Sequence, residues 1–188
     1  MDDPAIVCYS CPMKFSAMPE SVHPDFVVRP MESRDIEIWY DYLTLPAVFQ
    51  HTSWSVTSAN ELATYIWSPE TFEPATKTRF AIATRGDDKL AGTIGFHTVS
   101  PQNRSAEIAY DLAPEVWGRG LATYACGLLV GWAHTHIGIC RIQAAVLESN
   151  VRSARVLDRC GFEKEGLLRQ YRMVRGTPGN FFMYSHIA

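Results

Sequence analysis

The sequence predicts a mixed α/β fold in which a single sheet carries helices on both sides. Seven stretches have strand-like apolar patterns and four have the apolar spacing of helices, in the order β-α-α-β-β-β-α-β-α-β-β. The chain has 188 residues and is 47% hydrophobic, which is enough to bury the core of one domain. No internal repeat and no linker interrupts the pattern, so we expect one domain over residues 25–188.

The N-terminal part of the chain divides at residue 25. Residues 1–24 contain four prolines and no periodic pattern, and we interpret them as a leader or arm. The stretch DFVVRPM, residues 25–31, is β-branched and apolar, which predicts the first strand.

Two amphipathic helices are expected next. Residues 33–44 place apolar side chains at helical spacing behind an acidic first turn, with Ser33 as the expected N-cap. Residues 57–68 repeat this pattern, and either Thr57 or Ser58 is expected to cap them.

Three strands with period-two alternation follow at residues 77–85, 89–99 and 105–112. The sequence RGDDK joins the first two and is typical of a hairpin turn. In the third, Glu107 and Asp111 share the face opposite Tyr110.

The last part of the chain predicts two further helices and three strands. Residues 121–136 have a wide apolar stripe and are expected to form a well buried helix. Residues 149–162 predict a short helix that Gly161 ends. Strands are expected at residues 140–147, 164–174 and 181–187.

Charge is distributed unevenly along the chain. The formal net charge is −3, yet residues 141–175 carry eight Arg or Lys and only four Asp or Glu. A basic segment in an acidic protein favours a small anionic ligand over nucleic acid, but by this count alone a solvated helix face is the better explanation. No apolar run reaches the ~20 residues of a membrane span, and the N-terminus lacks a signal-peptide pattern. We therefore expect a cytoplasmic protein with no membrane partner.

The cysteines and histidines do not indicate a metal site. Cys8 and Cys11 form a C-x-x-C pair, but no second pair stands at zinc spacing and no strand precedes it. His134 and His136 are two residues apart and point to different sides of a helix. We expect no metal.

A glycine turn, WGRG, joins the strand 105–112 to the helix 121–136. Gly118 and Gly120 permit a close backbone approach at a helix start, where unpaired N–H groups and partial positive charge favour phosphate. The sequence is neither a P-loop nor a dinucleotide fingerprint, because the required residues and the parallel β-α-β context are missing. By spacing alone, a tight structural turn explains the two glycines almost as well.

Two motifs lead beyond this ambiguity. The first lies within YDLAPEVWGRGLATYA, residues 110–125, with matching positions Tyr110, Glu115, Trp117, Gly118, Arg119, Gly120 and Ala122. The second lies within LESNVRSARVLDRCGFEKEGLLRQ, residues 147–170, with matching positions Asn150, Ser153, Val156, Leu157, Arg159, Gly161, Phe162, Glu165 and Gly166. Together they resemble the GNAT superfamily of N-acetyltransferases, in particular its Rim-type branch, which acetylates N-terminal amines of ribosomal proteins and other amines. The resemblance covers about residues 26–188.

The resemblance implies a GNAT-like fold: a mostly antiparallel sheet of about seven strands, splayed between the fourth and fifth. It also implies acetyl-CoA as cosubstrate, with backbone amides of residues 118–123 on the pyrophosphate and the edge of strand 108–112 on pantetheine. Arg119, Arg152, Arg155 and Arg159 are placed to meet the nucleotide phosphates. The expected cofactor-binding residues are Tyr110, Asp111, Leu112, Trp117, Gly118, Arg119, Gly120, Leu121, Ala122, Thr123, Asn150, Ser153 and Arg155.

The expected chemistry is direct attack of an amine on the thioester in a ternary complex, which requires no enzyme nucleophile. Much of the superfamily places a tyrosine as the thiol's acid where this chain has Leu157, whereas the Rim-type branch uses the position of Ser153. Ser153 is thus the expected partner of the sulfur, unless it is a solvent-facing helix residue. Asn150 is expected to anchor pantetheine or a water, or else simply to cap the helix.

The general base is expected on the strand 105–112. Glu107 is the first choice as third catalytic residue and Asp111 the second, although an outward surface carboxylate fits the pattern equally well. Tyr171 and Arg172 stand where some Rim-type enzymes carry a carboxylate, and Asn180 stands where the branch often has an acidic residue near the last strand. Tyr171 is an alternative base.

Aromatic side chains concentrate where we expect the amine acceptor to bind. Eight of the chain's 22 aromatics fall in residues 39–72; most should be core and a few should wall the pocket. They are Trp39, Tyr40, Tyr42, Phe49, Trp54, Tyr65, Trp67 and Phe72. The leading hypothesis is an acetyl-CoA-dependent N-acetyltransferase for a peptide N-terminus or a small amine, as a monomer or homodimer. The alternative is a non-catalytic sensor of acyl-CoA with the same fold.

Overall fold

A computed structural model describes residues 19–66 and 77–188 of the chain. Cys8, Cys11, Trp67, Phe72 and most of the expected leader lie outside the described residues. The strands are β1 (Phe26–Pro30), β2 (Thr78–Thr84), β3 (Leu90–Ser100), β4 (Ser105–Leu112), β5 (Arg141–Leu147), β6 (Glu163–Val174) and β7 (Thr177–Ile187). The α-helices are α1 (Asp35–Leu43), α2 (Pro46–Phe49), α3 (Leu121–Trp132) and α4 (Val151–Arg159).

The seven strands form one sheet in the order β1-β2-β3-β4-β5-β7-β6. Neighbouring strands are antiparallel except for β4 and β5, which are parallel. That parallel pairing covers three positions, from Ser105 opposite Arg141 to Glu107 opposite Gln143, and then the strands separate. The predicted seven-stranded, mostly antiparallel sheet with a splay between strands four and five is confirmed.

Alternating side chains of the sheet bury two separate cores. Phe80 and Ile82 of β2 face α3 and α4, in the core that contains Leu129 and Leu157. Ala81 of the same strand faces the opposite side, where it joins Trp39 of α1. Helices therefore cover both faces, as the sequence predicts.

The helix boundaries correct three predictions. Ser33 does not cap α1; the helix begins at Asp35, whose carboxylate accepts the backbone N–H of Glu32 at 2.8 Å. The helix expected over 57–68 is a 3₁₀ helix, Ala59–Tyr65, and its residues beyond 66 lie outside the described part. The helix expected over 121–136 is α-helical to Trp132 and continues as a π turn over Ala133–Ile137.

Ser58 holds the N-cap position of that 3₁₀ helix, but its side chain makes no capping hydrogen bond. The Thr57 side chain does not cap the helix either, because its hydroxyl and its N–H both donate to the Glu61 carboxylate, the N–H at 3.1 Å. The predicted contact between Glu61 and the residues before the helix is therefore present, whereas the predicted side-chain cap is not.

The end of α4 agrees with the prediction at Gly161. This glycine has φ +80°, and its N–H bonds the carbonyl of Asp158 while the next N–H, of Phe162, bonds that of Leu157. These are the two hydrogen bonds of a Schellman C-cap. Of the described helices, none is both long and apolar enough to cross a membrane.

Candidate active site

The glycine turn opens α3 with its backbone N–H groups directed out of the helix. Gly118 and Gly120 both have φ +77°, and a Cβ built on either would meet no atom within 4 Å. The first helical hydrogen bond runs from the N–H of Tyr124 to the carbonyl of Gly120 at 3.0 Å, so residues 121–123 precede the helical ladder. Trp117 fixes the turn, because its indole N–H donates to the carbonyl of Leu112 at 2.8 Å.

The splay leaves one edge of β4 open beside this turn. Since β4 and β5 stop pairing after Glu107, the backbone of residues 108–112 has β3 on one side and no paired strand on the other. An open strand edge can pair with an extended ligand as another strand would.

The N-terminus of α4 faces the open edge from across the gap. Asn150 is the N-cap of this helix, its Oδ1 accepting the N–H of Ser153 at 3.1 Å. The other end of the same amide donates to the carbonyl of His51 at 3.3 Å. The Ser153 hydroxyl is 2.9 Å from the Tyr110 hydroxyl, which joins α4 to β4 across the splay.

These three elements enclose a cavity of about 600 Å³. Twelve of the thirteen cofactor-binding residues expected from the sequence line it: Tyr110, Asp111, Leu112, Trp117, Gly118, Gly120, Leu121, Ala122, Thr123, Asn150, Ser153 and Arg155. Arg119 is exposed and is not part of its wall, and neither is Glu107. Burial raises the pKa of the Tyr110 hydroxyl, so this group stays protonated in the cavity.

The cavity has a wall that the sequence did not indicate. Ala47, Val48, His51 and Thr52, from α2 and the segment after it, complete it. Arg175, at the turn between β6 and β7, holds this segment by donating to the carbonyls of residues 49, 50 and 52 at 2.9–3.1 Å. Nothing in the sequence indicated this wall, because no motif marks α2 and because the residue that holds the segment, Arg175, is distant in sequence.

Three further residues of α4 line the cavity: Arg152 and Arg159, which were expected near the nucleotide phosphates, and Val156, for which no ligand role was predicted. The Arg152 guanidinium lies over the Trp117 ring, 4.7 Å from its centroid. The arginines of α4 therefore border the cavity. The charge count alone had favoured a helix face exposed to solvent.

Glu107 lies at the point of the splay as part of an ion pair. Its side chain is 9% exposed, and the Nη2 of Arg172 donates to its Oε1 and Oε2 at 2.8 and 3.0 Å. Partial burial opposes the charge on Arg172, but the hydrogen bond and charge of Glu107 outweigh it and raise the pKa of the guanidinium. Desolvation lowers the pKa of nearby His97, against the pull of the Glu107 charge.

Asp111 is more deeply enclosed than an outward carboxylate. It accepts hydrogen bonds from Trp39 Nε1 at 3.0 Å, Thr93 Oγ1 at 3.0 Å and the hydroxyl of Tyr42, with Arg79 3.9 Å away. Burial raises the pKa of the Asp111 carboxyl. The contacts tie β4 to α1 and β3 beneath the cavity.

Among the expected aromatic residues, Trp39 and Tyr42 of α1 are buried, and Trp54 and Tyr65 are half-buried against the same core. The rings of Trp39, Trp54 and Tyr65 pack edge to face in one group, with centroids 5.4–6.0 Å apart. Phe49 and Trp54 also line a second cavity of about 240 Å³ next to the first. Within residues 19–66 and 77–188, no group of three or more His, Cys, Asp or Glu is placed to hold a metal ion.

Comparison with known families identifies the class of protein. The family model described as "Acetyltransferase (GNAT) domain" matches residues 25–163 of the chain. The chain therefore belongs to the GNAT acetyltransferase family, as its two motifs predict.

Curated bacterial relatives agree with this assignment. "Uncharacterized N-acetyltransferase p20" of Bacillus licheniformis is 32% identical over 162 residues, covering 84% of this chain and 90% of that protein. "Uncharacterized N-acetyltransferase YoaA" of Bacillus subtilis is 41% identical over 107 residues, but the match spans 57% of this chain and only 60% of YoaA. "Putative ribosomal N-acetyltransferase YdaF" of the same organism is 34% identical over 53% of this chain and 54% of YdaF.

Solved structures share the fold at lower identity. The microcin C7 self-immunity acetyltransferase MccE, solved with acetyl-CoA and AMP, superimposes with a TM-score of 0.77 at 21% identity. The match covers 92% of this chain and 99% of MccE. The ribosomal-protein-S5-alanine acetyltransferase of Vibrio fischeri gives 0.75 at 21% identity, over 86% of this chain and 92% of that one. Ribosomal-protein enzymes among the relatives agree with the Rim-type resemblance.

Proposed function

We propose that this protein is an acetyl-CoA-dependent N-acetyltransferase that moves the acetyl group to a primary amine, either a peptide N-terminus or a small amine. One observation carries the proposal: the glycine turn, the open edge of β4 and the N-terminus of α4 enclose a single cavity of about 600 Å³. A volume of this size suits a cofactor or drug-sized ligand. The N-acetyltransferase names of the relatives support the same class of reaction.

Backbone groups of the chain would bind most of acetyl-CoA, the acetyl donor. The N–H groups of residues 118–123 would hold the pyrophosphate, because both glycines turn the chain without side chains in the way. The open edge of β4 would hydrogen-bond the pantetheine amides. Arg152, Arg155 and Arg159 supply positive charge along the same wall for the nucleotide phosphates.

Acetyl transfer would then need three proton movements. The acceptor ammonium loses a proton to a base, for which Glu107 at the point of the splay is our proposal, and the free amine attacks the thioester carbon. A C–N bond forms, the C–S bond breaks, and the leaving thiolate takes a proton. Ser153 is the proposed donor of that proton, since its hydroxyl lies in the cavity wall and is hydrogen-bonded to the protonated Tyr110. The second proton, which the attacking nitrogen loses as it becomes an amide, then restores the Ser153 hydroxyl.

The first experiment is calorimetric titration of the purified protein with acetyl-CoA, with dephospho-CoA and ATP as controls. Binding in the micromolar range that ATP does not reproduce is the expected result. Neither heat nor a thermal shift with acetyl-CoA would mean that the glycine turn is structural.

The second experiment measures acetylated product with a panel of amines. We expect Ser153→Ala to keep acetyl-CoA affinity and lose about a hundredfold in kcat, the size typical of a lost acid. Ser149→Ala, an exposed serine just before the same helix, is the matched control. Acetyl-CoA binding without transfer to any amine would instead favour the sensor. The domain limits 25–188, a cytoplasmic location and a monomer or homodimer remain predictions.

A further inference from the structure

The ion pair at the point of the splay has an unusual origin. In the sheet order β4-β5-β7-β6, Arg172 starts two strands beyond β5, yet it reaches Glu107 on β4. The reach comes from an irregularity in β6. Leu168 pairs with Phe181 and Arg172 with Gly179, so β6 uses four positions where β7 uses two.

This irregularity is held in place by its own contacts. Gln170 has φ +53°, in the left-handed region that non-glycine residues rarely adopt. Its backbone N–H donates to Asn180 Oδ1 at 3.1 Å, so the side chain of β7 fixes the bend. Backbone strain that the surroundings maintain concentrates at functional sites, and here its effect is to deliver a guanidinium to the candidate base.

The ion pair leaves Glu107 without free negative charge. Both of its oxygens are engaged by one nitrogen of Arg172, and Lys77 and Arg79 add positive charge close enough to affect His97. These cations oppose the binding of a polycationic acceptor. The Arg172 side chain itself remains 30% exposed, with Tyr171 stacked 4.9 Å from its guanidinium, so an anion can approach it from solvent.

We propose that Arg172 is an anion subsite for acceptors that carry a carboxylate close to the primary amine. The acceptor carboxylate takes over the guanidinium by charge-assisted hydrogen bonds, and Glu107 is released. The freed carboxylate of Glu107 then accepts the proton of the adjacent ammonium, and the amine attacks the thioester with loss of the CoA thiolate. This inference rests on the proposed function and narrows its acceptor class.

The test compares acceptors that differ only in a carboxylate. Alanine is compared with alaninamide, and aspartyl-alaninamide with asparaginyl-alaninamide, with spermidine as the polycation; acetylated product gives kcat/KM for each. The two pairs distinguish a free amino acid from an acidic peptide N-terminus. Alaninamide has more unprotonated amine at a given pH, so a preference for alanine would oppose intrinsic reactivity.

The expected result is a preference of about tenfold or more for the carboxylate member of at least one pair. Arg172→Gln should bring that ratio to about one, Arg172→Lys should keep part of it, and exposed Arg169→Gln is the matched control on the same strand. Unchanged acetyl-CoA affinity by calorimetry would show that each variant is folded.

Two results would overturn the inference by different routes. Transfer that prefers spermidine or ignores the carboxylate, or a preference that survives in Arg172→Gln, would refute the anion subsite and leave the acetyltransferase intact. No transfer to any amine, with acetyl-CoA still bound, would refute the proposed function and this inference with it.

Discussion

Replacing Asp111 with alanine removes an acceptor that three side chains share beneath the cavity. Trp39, Tyr42 and Thr93 would lose their common hydrogen-bond partner, and Arg79 would lose the carboxylate 3.9 Å away. All four groups are buried, so water would not replace what is lost without opening the structure. The effect should therefore be on the stability of the contact between α1 and the sheet.

The expected cost follows from the burial of this network. Three buried donors lose the acceptor that they share, and each buried unsatisfied group costs about 1–3 kcal/mol, so we expect a loss of about 3–5 kcal/mol after partial rearrangement. For a chain of this length each kcal/mol shifts Tm by about 2–4 °C, which gives a decrease of about 6–20 °C. Asp111→Asn keeps an acceptor oxygen for Trp39 or Tyr42. Burial already raises the pKa of this carboxyl, so we expect the neutral isostere to lose only about 1–2 kcal/mol.

The assay is urea unfolding at neutral pH together with a thermal melt. Asp41→Ala, an exposed carboxylate on the same helix α1, is the control and should stay within about 0.5 kcal/mol of the parent protein. An Asp111→Ala protein as stable as that control would refute the argument from burial. An Asp111→Asn protein that is fully stable but inactive would instead return Asp111 to the role of base.

Three further variants test other parts of the structure. Gly120→Ala places a side chain on a residue with φ +77°, which costs about 1–2 kcal/mol. Calorimetry should show acetyl-CoA binding weakened at least about tenfold. The control Gly127→Ala, in the exposed middle of α3, should not weaken binding. Desolvation and the neighbouring imidazole lower the pKa of His186, so its contribution to stability is present above its ordinary pKa and is lost as pH falls through the lowered one. The free energy of unfolding should fall between about pH 7 and 5, and less so in His186→Asn than in the exposed control His136→Asn; equal slopes would contradict this. Arg175→Ala should speed amide hydrogen exchange in residues 47–52, because three hydrogen bonds to backbone carbonyls of this segment are lost. Unchanged exchange would mean that the segment is stable without Arg175.

The fold was predictable where short-range pattern decides it. Strand and helix periodicity gave the order of elements, and Gly161 ended α4 as expected because a Schellman cap depends on a few consecutive residues. The predictions that were wrong also concern short-range details, such as which residue caps a helix. Ser33 does not cap α1, because the first N–H groups of the helix, of Asp35 and Ile36, bond the backbone carbonyls of Glu32 and Ser33 instead of a side chain.

The sequence by itself determined the family and predicted the glycine turn and most of the cavity lining, because such a turn is built from neighbouring residues, two positive φ angles and one helix start. The tertiary structure alone decided the surroundings of Glu107 and Asp111. Arg172 meets Glu107 across 65 positions of sequence, and Asp111 is buried by α1 rather than exposed. Such contacts depend on strand order and on the bend in β6. The apolar periodicity of a strand shows which face is buried, but it does not show which strand lies beside it.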